Sequence, residues 1–341
     1  MKIKSLFGIL LAGLLLAGCA APAAAPLATE TPTPAPQPAN TPAPTKVPMT
    51  PTPEAPEFKV IAYVTDWDPA PEEAALDRLT HINYAFVLPK TDGTLSTLAN
   101  GWKLEALVKQ GHARGVKVLI SVGGWGLDQQ FEVMAAGEGT RARFVKEMVA
   151  FVDQYQLDGV DIDWEYPRPG ASSKHFVALM TELRAALRPD LLLTAAVAAV
   201  GPSGDGIDPA VFELVDFINL MVYDGGSPNH ASMDYAAQSL DYWSKRGLSA
   251  EKTVLGVPFY SRPGEVPYKK LVGADPAAAQ VDEFVYQGIK EGYNGLVTMR
   301  QKVLLARERA SGVMIWALVY DTTDDLSLLK AIDETAHSSL P

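Results

Sequence analysis

Eight short, near-continuously apolar runs recur from Phe58 onward, each followed by a stretch with helical periodicity: KVIAYVTDW, HINYAFVLP, KVLISVGGW, GVDIDWEY, LLLTAAVAAV, FINLMVYDG, KTVLGVPFYS and GVMIWALVYD. A strand that is apolar at almost every position is buried on both faces, which is the situation of parallel strands covered by helices. The intervening stretches, such as Arg141 to Gln156, His175 to Leu187 and Tyr235 to Lys245, carry their apolar residues at helical spacing. Eight strand–helix pairs in the roughly 280 residues available predict a closed (β/α)8 TIM barrel, for which about 250 residues is typical. A doubly wound open sheet competes, but the glycine pattern that would cradle a phosphate after the first strand is absent.

In such a barrel, the C-terminal strand ends and the loops after them build the active site. Polar and aromatic residues gather at these ends: Asp66 and Trp67, Ser121 to Trp125, Asp163 to Tyr166, Tyr223 and Asp224, and Trp316. The fourth run lies within DGVDIDWEYP, Asp158 to Pro167, which holds four acidic residues. Side chains alternate along a strand, so Asp161, Asp163 and Glu165 share one face and Val160, Ile162 and Trp164 the other. The apolar set can pack on helices. The acidic set then lines the barrel interior, climbing ~6.6 Å with every second residue, with Glu165 outermost at the mouth. Crowded, buried carboxylates cannot all ionise, so at least one is expected to hold a proton at neutral pH. Two blander readings stand beside this one. The strand could be a solvated edge, or the D-x-D run a calcium loop, although that template wants a glycine where Trp164 or Glu165 stands.

The motif D-G-x-D-x-D-W-E is similar to the signature strand of glycoside hydrolase family 18, the chitinases and their relatives. The resemblance runs from about Val60 to Asp321 through NYAF, SVGGW, MVYD, GVPFYSR and MIWA in the second, third, sixth, seventh and eighth strands. It implies a retaining, substrate-assisted hydrolysis of β-1,4-linked N-acetylglucosamine glycans with no metal or other cofactor. In that scheme Glu165 protonates the glycosidic oxygen. The substrate's own N-acetyl carbonyl attacks the anomeric carbon, and Asp163 orients and stabilises that amide. Asp161 shares a proton with Asp163, with Tyr63 and Ser121 as hydrogen-bond partners. Tyr223 matches the donor to the acetamido oxygen, Asp224 a sugar-binding carboxylate, Met221 a wall of the same subsite and Trp316 its aromatic floor. Trp125, Tyr166, Tyr260 and Arg262 match further cleft positions. Asp66, Asp68 and His230 match none. An endo-β-N-acetylglucosaminidase acting on glycoprotein or peptidoglycan shares the same strand motif, and a non-catalytic lectin of the same fold is the alternative outside enzymes.

The N-terminus, MKIKSLFGILLAGLLLAGCA, sets Lys2 and Lys4 before an apolar run of signal-peptide length. Residues 1–18 read as a signal peptide, and Leu16 to Cys19 resemble the bacterial lipobox, in which Cys19 is lipidated. Residues 19–57 then form an Ala-, Pro- and Thr-rich linker holding 12 of the 26 prolines, too poor in apolar bulk to pack. These features predict a membrane-anchored, extracytoplasmic lipoprotein whose folded part spans residues 58–341. A formal net charge of −11 disfavours nucleic acid as a partner. Cys19 is the only cysteine, and the five histidines are scattered without ligand spacing, so neither disulfide nor zinc frameworks arise. The domain is expected to act as a monomer.

Between the seventh and eighth runs the chain has room for at most a reduced insertion, and YDGGSPNH carries no tryptophan. Together these predict a shallow groove with few aromatic platforms.

Overall fold

The computed structural model describes residues 57–226 and 228–338. The expected signal segment, Cys19 and all but the last residue of the linker lie outside them.

Eight parallel strands close into a barrel: β1 (Lys59–Thr65), β2 (His81–Val87), β3 (Lys117–Gly123), β4 (Gly159–Asp163), β5 (Leu192–Ala198), β6 (Phe217–Met221), β7 (Thr253–Pro258) and β10 (Gly312–Trp316), with β10 closing between β7 and β1. A two-stranded antiparallel hairpin, β8 (Glu283–Tyr286) and β9 (Ile289–Gly292), stands outside the barrel. Each apolar run forms its strand but stops short of its polar end. β4 ends at Asp163, so Glu165 sits beyond the ladder, in the loop.

The expected helices form with ends moved by a few residues, at Glu138–Tyr155, Ala171–Ala186 and Met233–Lys245. Their ends are fixed by local chemistry that periodicity does not register. Gln156 terminates the first in a left-handed conformation, and the Ser232 hydroxyl caps the last by accepting from the Tyr235 N–H at 3.1 Å.

Strand alternation divides the core in two. Val160, Ile162 and Trp164 join the large cluster between strands and helices, whereas Ile61, Tyr63, Ala196, Phe217, Met221 and Met314 form a smaller one inside the barrel. Trp164 shows how the outer face is satisfied. Its ring stacks on Phe131 with centroids 5.1 Å apart, meets Phe176 edge-on at 5.9 Å, and its indole N–H donates to Asp128 at 3.1 Å. Asp158 stands just before β4 and accepts from the Val118 N–H at 2.7 Å, pinning the start of β3.

The insertion between β7 and β10 consists of the helix Tyr268–Ala274, a 3-10 turn at Pro276–Gln280 and the β8–β9 hairpin. The barrel helix Leu296–Arg309 follows it. This is the reduced insertion that the chain length allowed.

Candidate active site

The interior of the barrel at mid-height is polar. Asp161 is fully buried, and its carboxylate takes four donors. Oδ2 accepts from the Tyr63 hydroxyl at 2.7 Å and the Ser121 hydroxyl at 2.8 Å. Oδ1 accepts from the Thr194 hydroxyl at 2.6 Å and the Asn219 amide at 3.2 Å. Five strands thus converge on one carboxylate: β1, β3 and β4 with β5 and β6. Burial raises the Asp161 pKa, and the four donors oppose that rise.

Asp163 sits one step higher, 3% exposed, and its Oδ1 has no hydrogen-bond partner among the described residues. Among the described residues no hydrogen bond joins it to Asp161. Asp161 is saturated by neutral donors instead. Burial, then the charges of Glu165 and Asp161, hold the Asp163 carboxyl well above the ordinary range. Glu165 is half-buried at the rim. Burial pushes its pKa up to about 7, a hydrogen bond with Tyr166 opposes the rise, and the charge of Asp224 adds to it. Three carboxyl groups therefore step outward from a four-donor carboxylate, through a buried carboxyl whose pKa is raised, to a rim acid poised near neutrality.

The glycine pair of SVGGW makes this spacing possible. At Gly123, with φ +118°, a Cβ would lie 2.1 Å from the Asp163 carbonyl oxygen. The Gly124 N–H donates to that same oxygen at 2.9 Å, and a Cβ there would strike the Phe86 ring.

Around the carboxylates, Met221 is 8% exposed and packs in the interior cluster with Tyr63, while half-buried Tyr223 and Trp316 pack against its edge. Burial raises the Tyr223 pKa well above its ordinary value, so its hydroxyl stays a donor. Trp316 lies 5.4 Å from Tyr63 and stacks on Phe86 at 5.8 Å, centroid to centroid, and Phe86 in turn lies 6.3 Å from exposed Trp67. On another rim, Trp125 is 81% exposed and meets Tyr166 edge-on at 6.5 Å. Trp67 and Phe86, which come from the β1 and β2 ends rather than from the insertion or the loop after Asp224, thus continue the aromatic contacts of Trp316.

Asp224 adopts a left-handed φ of +59°, which aspartate tolerates better than most residues. Arg262 grips it in a bidentate pair at 2.7 and 2.8 Å, and the Tyr260 hydroxyl donates to it at 2.8 Å. Burial alone would raise the Asp224 pKa, but the hydrogen bonds from Arg262 and Tyr260 and the charge of Arg262 outweigh it and hold the group below the usual carboxylate range.

Buried His230 belongs to this cluster although no motif pointed to it. Its Nδ1 accepts from the Asp224 N–H at 3.1 Å, which leaves Nε2–H to donate to the Tyr260 carbonyl oxygen at 3.2 Å. Asp66 serves structure, taking the Tyr84 hydroxyl and the Asn100 N–H. Sequence reasoning also passed over Thr194 and Asn219, whose signal was a lone polar residue at an interior position of an apolar strand. Among the described residues no group of three or more His, Cys, Asp or Glu side chains is arranged to hold a metal ion.

A family model described as Glycosyl hydrolases family 18 matches residues 59–321. A probable endochitinase of Caenorhabditis elegans is 31% identical over 259 residues, covering 64% of this chain and 42% of its own length. Probable chitinase 2 of Drosophila melanogaster is 28% identical over 365 residues, covering 81% and 74%. The chain thus spans less than half of the nematode relative. Among solved structures, a chitinase from Bacteroides thetaiotaomicron is similar with a TM-score of 0.74 and 28% identity, covering 82% of this chain and 97% of that one. A family 18 chitinase from the chitin utilization locus of Flavobacterium johnsoniae gives 0.70 and 27%, covering 83% and 94%.

Proposed function

The chain belongs to glycosyl hydrolases family 18, and we propose that it hydrolyses β-1,4-linked N-acetylglucosamine oligomers of the chitin type with retention at the anomeric carbon. The observation that carries this reading is the stepped set Asp161, Asp163 and Glu165, with Glu165 raised to about 7 at the rim. Protonated Glu165 gives its proton to the glycosidic oxygen as the bond to the anomeric carbon breaks. The acetamido carbonyl oxygen of the same sugar forms the new bond from the opposite face, giving an oxazolinium ion. Asp163, whose Oδ1 is free to accept, takes the acetamido N–H and stabilises the positive charge that develops. The Tyr223 hydroxyl donates to the acetamido oxygen, Trp316 supports the sugar from below, and Met221 closes its side. Water then yields a proton to the Glu165 carboxylate and adds to the anomeric carbon as its bond to the acetamido oxygen breaks, so two inversions leave the β anomer. Asp161 fixes the field under Asp163, and Tyr63 and Ser121 hold Asp161. Asp224, Arg262 and Tyr260 contact the sugar beside the cleavage point, with Trp125 and Tyr166 on the leaving-group side.

Proton nuclear magnetic resonance of fresh chitotetraose digests tests this directly, with β-anomeric products expected. Initial α product, or equal turnover of oligomers stripped of their N-acetyl groups, overturns the mechanism. No cleavage, with binding retained, would make the protein a lectin. Faster release from glycoprotein or peptidoglycan than from chitotetraose would reassign the substrate.

We further propose that Cys19 carries a lipid and that the 19–57 linker presents a monomeric domain outside the cytoplasm. Lys2, Lys4 and the apolar run ending in LAGC support this. Mass spectrometry of the detergent-extracted N-terminal peptide should find acylated Cys19, and Cys19→Ala should free the protein from membranes. Light scattering gives the oligomeric state.

A further inference from the structure

The β8–β9 hairpin contains a buried acid that the chemistry above does not use. Glu291 in β9 is 1% exposed and has no ion pair with any described residue. Its Oε2 accepts from the Ser261 hydroxyl at 2.7 Å and from the Gly264 N–H at 2.9 Å. Its Oε1 lies where a Cβ on Gly264 would sit, 2.1 Å away, so only glycine admits the carboxylate there. Between these two anchors stands Arg262. Its backbone is tied to β9 from both sides, N–H to the Gly292 carbonyl at 2.9 Å and carbonyl to the Gly292 N–H at 2.8 Å. The same end of the hairpin also reaches the other half of the cluster. A Cβ on Gly292 would lie 2.0 Å from the Pro228 carbonyl oxygen, and the Asn294 amide donates to the Ala231 carbonyl at 3.0 Å, bracketing His230.

A buried carboxylate without a cation is a poor source of stability, since an apolar residue in its place avoids the desolvation cost. What it supplies is direction, because one oxygen fixes two points of the turn that aims the guanidinium. We propose that Glu291 is a positioning residue for the Asp224–Arg262 pair, and that the reduced insertion works as a clasp on this sugar-binding cluster. This rests on the reading that the cluster contacts substrate.

The clasp has a consequence at Glu165. That group is faced by Asp163, Tyr166, Tyr223 and Asp224, and Asp224 by Arg262, His230, Tyr260 and Tyr235. If Arg262 swings away, the negative charge of Asp224 is less balanced and the Glu165 proton is held more tightly. The loss of rate at high pH then moves upward.

The test compares Glu291→Ala, Glu291→Gln and Ser261→Ala. Gln keeps a carbonyl oxygen able to accept both hydrogen bonds, so it should behave as wild type. Glu291→Ala should lower kcat/KM on chitotetraose about tenfold and raise the alkaline midpoint by roughly 0.3–0.5 pH unit. In an Arg262→Ala background it should add little. Carbon-13 titration of the Glu165 carboxyl reads the same shift without any turnover. If the wild type cleaves no chitin oligomer, the functional reading fails while that titration still judges the clasp. A changed melting temperature with unmoved kinetics and titration overturns the proposal, as does a Gln variant damaged as badly as Ala. Should Glu291→Ala not fold, Ser261→Ala, which removes one of the two anchors, is judged by the same shift.

Discussion

Replacing Glu165 with glutamine removes the one rim group able to give up a proton near neutral pH, and its position sets the size of the effect. A glutamate at its ordinary pKa of 4.5 would be only about 0.3% protonated at pH 7, whereas Glu165, at about 7, is protonated about half the time. Burial therefore raises the supply of acid at pH 7 by roughly 150-fold, or about 3 kcal/mol at ~1.4 kcal/mol per pKa unit. Because the pKa is raised and the acid form is the active one, kcat/KM should hold steady below pH 6. It should halve near pH 7 and lose about tenfold per unit above pH 8. Glu165→Gln should lower kcat on chitotetraose by about 10²–10⁴-fold with KM little changed, and should abolish this alkaline limb. On an aryl chitobioside, whose phenolate leaves without help, the loss should be much smaller. The assay is initial-rate kinetics on both substrates from pH 3 to 9. An alkaline midpoint near 4.5 would show that the rim does not exclude water as described. Equal loss on both substrates would take Glu165 out of the acid role.

Asp163→Asn should reduce kcat by at least about 10²-fold on both substrates alike, since an amide cannot balance a positive oxazolinium; recovery on the aryl substrate would argue against that role. Thr194→Val and Asn219→Leu each strip a donor from buried Asp161, and each should lower both stability and kcat, read by denaturant melts and rates. Buried Lys302, whose ammonium donates to the Asn294 side-chain Oδ1 at 2.7 Å, has its pKa lowered by burial from 10.5 to about 7. The unfolded chain binds more protons than the native one between those values, so wild-type stability should climb from pH 7 to 10. Lys302→Met should flatten that slope, measured by melting temperature against pH. Extended chelation should leave chitotetraose turnover unchanged, and a loss restored by calcium or zinc would revive a metal role.

The hydrophobic pattern determined the barrel, because a run buried on both faces admits few arrangements and eight of them with helices between admit fewer. It also determined which face of β4 carries the acids, since strand geometry alternates without reference to the rest of the molecule. Local pattern left undecided everything that depends on who faces whom across the barrel. Thr194 and Asn219 became donors to Asp161 only when β5 and β6 closed the ring beside β4. His230 entered the Asp224 cluster through a loop that folds back on itself, and Trp67 met Phe86 because neighbouring strands end at one level. Glu291 is the clearest instance. In sequence it is an ordinary charge in IKEGYNG, and only the approach of β9 to the Arg262 turn buries it and gives both its anchors. Periodicity along a chain is set by bonds between neighbours, whereas a carboxylate's partners, its solvation and hence its pKa are set by residues tens or hundreds of positions away.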